Sequence, residues 1–219
     1  MRPLKQVGVF DDRGFLWTRN SVPGQKVYGE RLRAFKGTEY RDWNPHRSKV
    51  AALLRLMPDA PWLDPSKDVL YLGASTGTTV SHLADVLRPE SLLYAVEFSP
   101  RSVRDLLWNL ESRQNVVPVL DDAGKPERYA GYIDRPVGAL VQDVAQRHQV
   151  EIFLRNLPFL ARDGVGYLFV KARSIDVARP LAEIYADVER SLKAAGVRIV
   201  GAVDMDPFHR EHRAFVVRP

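Results

Sequence analysis

The chain has 219 residues, a formal net charge of +5 and a sequence pI near 9.5, enough length for one α/β domain with a modest appendage. The moderate basic excess favours a polyanionic partner without establishing one. The absence of cysteine excludes disulfides, zinc–thiolate sites and cysteine nucleophiles. No apolar run approaches the roughly 18 residues that span a bilayer, and the opening residues carry no signal-peptide core. A cytoplasmic protein with no membrane partner and no metal site is therefore expected.

Residues 1–45 read as a small β-rich subdomain. Val7, Val9 and Phe10, a turn at 11–14, and residues 15–18 have the pattern of a hairpin, and turn signals follow at Pro23-Gly24 and Gly37 with short β-like pieces such as 26–32. This segment could cap one end of a sheet or offer a platform to a protein or RNA. Residues 40–46 read as irregular. Behind Pro45, the spacing of Val50, Leu53, Leu54 and Met57 predicts a helix over 47–57. Lys49 lies in its first turn, where a solvated charge is the default.

Residues 68–98 read as strand, loop, helix and second strand. Val69–Leu72 is a short apolar run; Gly73 and Gly77 bracket a tight loop through Ala74 and Ser75. Thr78 and Thr79 open a helix extending to 87, and residues 92–96 form a strand closed by Glu97 and Phe98. A loop with little side-chain bulk lets a ligand approach the backbone, and the helix N-terminus behind it favours electron-rich groups. An acidic residue after the second strand suits a pair of ribose hydroxyls. The loop is Gly-x-x-x-Gly, neither the dinucleotide fingerprint nor a P-loop with its lysine. S-adenosylmethionine, which has adenosine but no pyrophosphate, fits better. An ordinary strand-to-helix turn with two structural glycines would carry the same letters.

The alternation then continues: helix 101–113, strand 115–120 ending in Asp121-Asp122-Ala123, and strand 138–142 ending at Asp143. A helix over 150–160 and a strand over 164–170 ending at Lys171 follow, then a helix over 181–194 and strands 197–203 and 214–217. Strands alternating with helices imply a mostly parallel sheet covered on both faces. Only about ten residues join the last two strands, too few for a helical crossover, so they pair as a hairpin and the last strand is antiparallel.

Ligands of open α/β sheets bind beyond the carboxyl ends of the strands. Gly73, Glu97, Asp122, Asp143 and Lys171 each sit at such an end, and an antiparallel last strand brings His212 to the same edge. If the strands of Asp143 and Lys171 are neighbours, their backbones lie about 4.8 Å apart and the charges can meet. Each residue also has a plain role open to it: Asp143 as a helix cap, Lys171 as the point of emergence into solvent, Asp122 as a turn former. His212 could be a surface histidine with His209 as its competitor. Methyl transfer to a ribose hydroxyl needs a proton acceptor. A lysine can serve where burial or a second cation lowers its pKa, while an aspartate orients it and another lysine stabilises developing oxyanion charge. Which lysine is the base stays open.

The stretches GTEYRDWNPHRSKVAA, YLGASTGTTVSHLADV, YAVEFSPR, VQDVAQ, VKARSID and DPFHREHRAFVV, with TRNSVPGQKVYGE near the start, together resemble fibrillarin in its archaeal form over nearly the whole chain. The resemblance implies a Rossmann-like methyltransferase domain over 46–219 beside the β-rich subdomain. It implies an S-adenosylmethionine-dependent RNA 2′-O-methyltransferase acting on rRNA and tRNA within a C/D box particle. There a guide RNA selects the target, a Nop-family scaffold protein docks the enzyme, and a kink-turn-binding ribosomal-type protein nucleates assembly. Carried over position by position, the catalytic set falls on Lys49, Asp143, Lys171 and His212. The cofactor set falls on Gly73, Ala74, Ser75, Gly77, Thr78, Thr79, Glu97, Phe98, Asp122 and Ala123, with Asp143 and Gln146 at the methionine end. Gly124 replaces a usual basic residue and Arg147 a usual proline. Three other readings remain: a stand-alone RNA methyltransferase, a non-catalytic scaffold subunit, and a nicotinamide-dependent oxidoreductase, against which the absent GxGxxG argues.

Overall fold

The first forty residues fold as a five-stranded antiparallel sheet: β1 (Arg2–Pro3), β2 (Val9–Asp12), β3 (Phe15–Arg19), β4 (Leu32–Phe35) and β5 (Thr38–Asp42) in the order β1-β2-β3-β5-β4. This computed structural model describes residues 1–219. The β2–β3 and β4–β5 hairpins turn on two residues of positive φ, Arg13-Gly14 (53° and 84°) and Lys36-Gly37 (49° and 76°). Their twist matches that of the flanking strands. The stretch 40–46, read above as irregular, begins inside β5. Tyr40, Arg41 and Asp42 pair with β3 on one side, and Tyr40 and Arg41 with β4 on the other; long-range pairing outweighs their weak local pattern. Conversely, residues 26–31 form no strand.

The second sheet has seven strands: β6 (Val69–Leu72), β7 (Leu93–Glu97), β8 (Val116–Leu120), β9 (Val137–Gln142), β10 (Leu160–Lys171), β11 (Arg198–Asp204) and β12 (His212–Arg218). Their order is β11-β12-β10-β9-β6-β7-β8, with β12 antiparallel between β10 and β11. The six helices are α1 (Lys49–Leu56), α2 (Thr78–Val86), α3 (Pro100–Leu110), α4 (Gln149–Asn156), α5 (Ala172–Ile175) and α6 (Leu181–Ala194). The helix expected over 150–160 stops at Asn156 because Pro158 cannot continue it. β10 starts four residues earlier than the pattern suggested, with a bulge between Leu160 and Val165. No helix is long and apolar enough to cross a membrane.

Alternate residues of β6 feed two cores, as a sheet covered on both faces requires. Val69 and Tyr71 pack with α1, α2 and the first sheet's Val9 and Leu16, while Leu70 and Leu72 pack with Phe153 of α4 and Val188 of α6.

Buried polar groups join the first sheet to α2. Arg41 of β5 pairs with Glu30 at 2.7 Å and with Asp85 of α2 at 2.5 Å, and Asp85 also accepts from Arg113 at 3.0 Å; all four side chains are wholly buried. His82 of α2 stacks on Trp43 with ring centroids 5.0 Å apart. The Tyr28 hydroxyl donates to the Asp42 carbonyl, so it must accept from His82 Nε2, leaving Nδ1 to accept from Thr18 at 2.7 Å. Burial, then the Arg41 and Arg113 cations, hold His82 well below its usual 6.5, so it is neutral.

Removing one member of a buried ion network strands the others. Asp85→Ala should lower the unfolding free energy by about 3–5 kcal/mol in a urea titration; a loss near zero would show the network to be energetically idle. Because the folded pKa of His82 is below 6.5, the unfolded chain takes up this proton first on acidification. The stability it contributes is complete above that value and declines as pH falls below it. His82→Gln should reduce the slope of unfolding midpoint against pH below 6.5.

Candidate active site

Where β6 ends, Gly73 has φ +85°, and a Cβ there would lie 2.3 Å from the Asp143 carbonyl oxygen. Only glycine lets the two strand ends approach this closely. The Gly73 and Ala74 N–H groups both donate to the Val96 carbonyl, at 2.9 and 3.1 Å, which folds the loop back over β7. Gly77, at φ +94°, turns the chain into α2 against Leu106 and Leu110 of α3. The loop's turn aims the Ser75 N–H at Glu97, whose Oε2 accepts it at 2.8 Å while Oε1 accepts the Ser99 N–H at 2.9 Å. Two backbone donors thus fix a carboxylate that has further lone pairs to offer.

Gly73, Ser75, Glu97, Phe98, Ala123, Asp143 and Gln146 line one cleft of about 220 Å³, with Asp121, Val144 and Ala145 beside them. The other expected cofactor residues stand back from it. Ala74 is buried behind the loop, and Gly77, Thr78 and Thr79 are not part of the lining. Thr79 donates to Ser48 at 3.0 Å and so ties α2 to the start of α1. Asp122 spends its carboxylate on the Gly124 N–H, at 2.8 Å, and faces an adjoining shallow pocket that shares Gln146. Its neighbour Asp121, paired with Arg128 at 3.0 Å, occupies the cleft wall instead. The Asp121-Asp122 doublet was visible in the sequence, but which carboxylate faces inward depends on how the chain turns after β8.

At the cleft's Asp143 end the four expected catalytic residues converge. Ser48 caps α1 and sets Lys49 as its first helical residue. Lys49 Nζ lies 2.8 Å from Asp143 Oδ1 and 2.9 Å from Oδ2, both side chains mostly shielded from solvent. Asp143 is held in turn by its N–H, which donates to the Leu72 carbonyl at 2.9 Å. β10 lies between β9 and β12, and Lys171 faces His212 in register. Below the cluster, burial and then the Asp143 charge push the Tyr71 phenol up.

His212 Nδ1 lies 2.7 Å from the Arg210 carbonyl oxygen. A carbonyl only accepts, so Nδ1 carries the proton and Nε2 keeps a lone pair. Burial lowers the pKa of His212 from 6.5; the Arg210 hydrogen bond and the Asp143 charge oppose this, and the Lys49 and Lys171 cations add to it. His209 donates from Nε2 to the Pro45 carbonyl at 2.9 Å, which anchors the turn between β11 and β12 to the entrance of α1. The two rings are 6.1 Å apart.

Sheet order, the antiparallel β12, the glycine loop and the acidic end of β7 define a Rossmann-like S-adenosylmethionine-dependent methyltransferase fold. The fibrillarin family model matches residues 5–219, so the chain belongs to the fibrillarin family. It is 42% identical over 214 residues to a Pyrococcus furiosus protein described as a fibrillarin-like rRNA/tRNA 2′-O-methyltransferase, covering 96% of this chain and 93% of the relative. Aeropyrum pernix fibrillarin, solved with natively bound S-adenosylmethionine, superposes with a TM-score of 0.87 at 40% identity, covering 99% of this chain and 96% of that one. A fibrillarin solved in complex with Nop5p gives 0.87 at 36% identity, covering 99% of both chains.

Glu97→Ala removes the carboxylate held by Ser75 and Ser99 and should weaken S-adenosylmethionine binding about tenfold or more in a calorimetric titration. An unchanged dissociation constant would take Glu97 out of the site.

Proposed function

We propose that this protein is the catalytic subunit of a C/D box guide-RNA particle that methylates ribose 2′-hydroxyls of rRNA and tRNA with S-adenosylmethionine. The observation that carries the reading is the Lys49–Asp143 ion pair, with Lys171 and His212 beside it at the mouth of the Gly73–Glu97 cleft. The cleft suits the cofactor. Glu97 has lone pairs left for two ribose hydroxyls, Gly73 lets the ends of β6 and β9 close on each other behind the cleft, and Ala123 and Gln146 line its wall. When bound, the cofactor supplies a methyl group on a positively charged sulfur.

The chain's own residues deal with the hydroxyl. Asp143 orients Lys49, and Lys49 and Lys171 supply positive charge where the 2′-oxygen becomes electron-rich. His212 is neutral at neutral pH and has its free lone pair on Nε2. The 2′-hydroxyl proton therefore goes to His212 Nε2, forming an imidazolium beside Asp143, whose charge favours it. This assigns the proton to His212 rather than to either lysine considered on the sequence, because the Arg210 hydrogen bond leaves His212 Nε2 with a free lone pair.

Target selection is assigned to a guide RNA, docking to a Nop-family protein such as the Nop5p found with the related fibrillarin, and assembly to a kink-turn-binding protein. A net charge of only +5 suits an enzyme that makes backbone contacts and leaves base reading to the guide. The particle would be cytoplasmic. We also infer a functional division at residue 45, with the first sheet buttressing α2 rather than forming the cleft.

Radioactive methyl transfer to a guided RNA tests the assignment. Methylation of one guided ribose only with both companion proteins present supports it; transfer by the lone protein points to the stand-alone enzyme, and cofactor binding without transfer to a scaffold. Asp143→Ala should abolish transfer while leaving the fold intact, and near-normal turnover would sink its role. With His212 as base, the rate should rise with pH only through a pKa below 6.5 and be flat at neutrality. A rate still climbing log-linearly through about pH 8–9 would assign the proton to a lysine.

A further inference from the structure

β9 accompanies β10 only as far as Gln142, opposite Leu168, because the chain leaves the sheet at Asp143. Lys171 therefore ends β10 with no β9 residue beside it. Its backbone is nonetheless paired on that side. Gln149, the first residue of α4, accepts the Lys171 N–H on Oε1 at 3.0 Å and donates from Nε2 to the Lys171 carbonyl at 3.0 Å. A primary amide carries one acceptor and two donor hydrogens, so this side chain mimics the missing strand neighbour. Gln149 is fully buried, and its backbone carbonyl accepts from the side-chain amide of the fully buried Gln142 at 2.6 Å. Gln142 is the residue before Asp143. One chain of amides thus runs from the Asp143 strand end to the Lys171 strand end.

The arrangement also shapes the Lys171–His212 contact. Both polar backbone groups of Lys171 point at Gln149, so neither is available to β12. The next residue, Ala172, does bond across, donating to the Glu211 carbonyl at 3.1 Å. Lys171 and His212 are therefore a non-hydrogen-bonded antiparallel pair, the kind whose facing side chains come closest.

We propose that Gln149 is a positioning residue for methyl transfer, its amide fixing where Lys171 ends and how Lys171 and His212 meet the Lys49–Asp143 pair. The proposal rests on the reading of the site given above. A packing role would ask of residue 149 only volume and burial, which methionine supplies. A positioning role asks for an amide.

Gln149→Met keeps length and burial but leaves both Lys171 backbone groups unpaired. In particles reconstituted with a designed C/D guide RNA and both companion proteins, its kcat should fall about 10- to 100-fold, with KM for the target RNA and Kd for S-adenosylmethionine changed less than about twofold. Gln149→Glu reproduces the amide's pattern only when protonated, its O–H donating to the Lys171 carbonyl and its carbonyl oxygen accepting the N–H. Its kcat relative to the unsubstituted protein should rise as pH is lowered, while the Gln149→Met ratio stays flat. Hydrogen exchange at the Lys171 amide gives a readout that needs no turnover, and Gln149→Met should speed it about tenfold while the protein stays folded at the assay temperature.

Full kcat in Gln149→Met overturns the proposal, as does a loss shared equally with cofactor affinity or folded fraction, a pH-flat Gln149→Glu ratio, or unchanged Lys171 exchange. Absence of methyl transfer by the unsubstituted particle would instead overturn the functional reading, and Lys171 exchange would still decide the role of Gln149.

Discussion

The carbonyl oxygen of Asp143 occupies the space that a side chain on residue 73 would fill. This close approach brings the end of β6, which lines the cleft, against the end of β9, where Asp143 meets Lys49. Because the same few backbone atoms form both walls, the cleft and the Lys49–Asp143 pair cannot drift apart without breaking the β6–β9 ladder. Any Cβ at residue 73 would push them apart at once. The loop's other glycine, Gly77, does similar work one turn later by admitting Leu106 and Leu110 of α3, so α2 starts where Ser75 can reach Glu97.

Around that contact the electrostatics are arranged in two very different settings. Lys49 and Asp143 are shielded but still partly solvated, so water screens part of their attraction. Arg41, Glu30, Asp85 and Arg113 are sealed, where the desolvation penalty makes every partner obligatory. The sealed network holds the first sheet to α2, and α2 is joined to α1 through Thr79 and Ser48. The position of Lys49 thus depends on packing well outside the cleft. His209, bound to Pro45, performs the matching task from the other side by tying the β11–β12 turn to the residues that precede α1.

Much of this was legible in the sequence because it rests on local patterns. The α/β alternation, the glycine loop and the polar residues at strand ends follow from side-chain periodicity and turn chemistry. The antiparallel last strand follows from a connection too short to cross the sheet. β5 was missed because Thr38–Asp42 has a weak local signature and is a strand only through its two neighbours. The start of β10 was misplaced because Leu160–Gly164 pass through a bulge that has no periodicity to read.

The sequence by itself determined which residues are present at the sheet's functional edge: Gly73, Glu97, Asp143, Lys171 and His212 each stand where a strand begins or ends. Only the tertiary structure decided which atoms meet. It gives the cleft wall to Asp121 rather than Asp122, the Pro45 carbonyl to His209 rather than His212, and the backbone of Lys171 to Gln149. A strand end is a one-dimensional fact, encoded within a few residues. A hydrogen bond between residues 22 positions apart, or an ion pair between residues 94 apart, is set by the packing of helices and strands whose relative placement no local pattern carries.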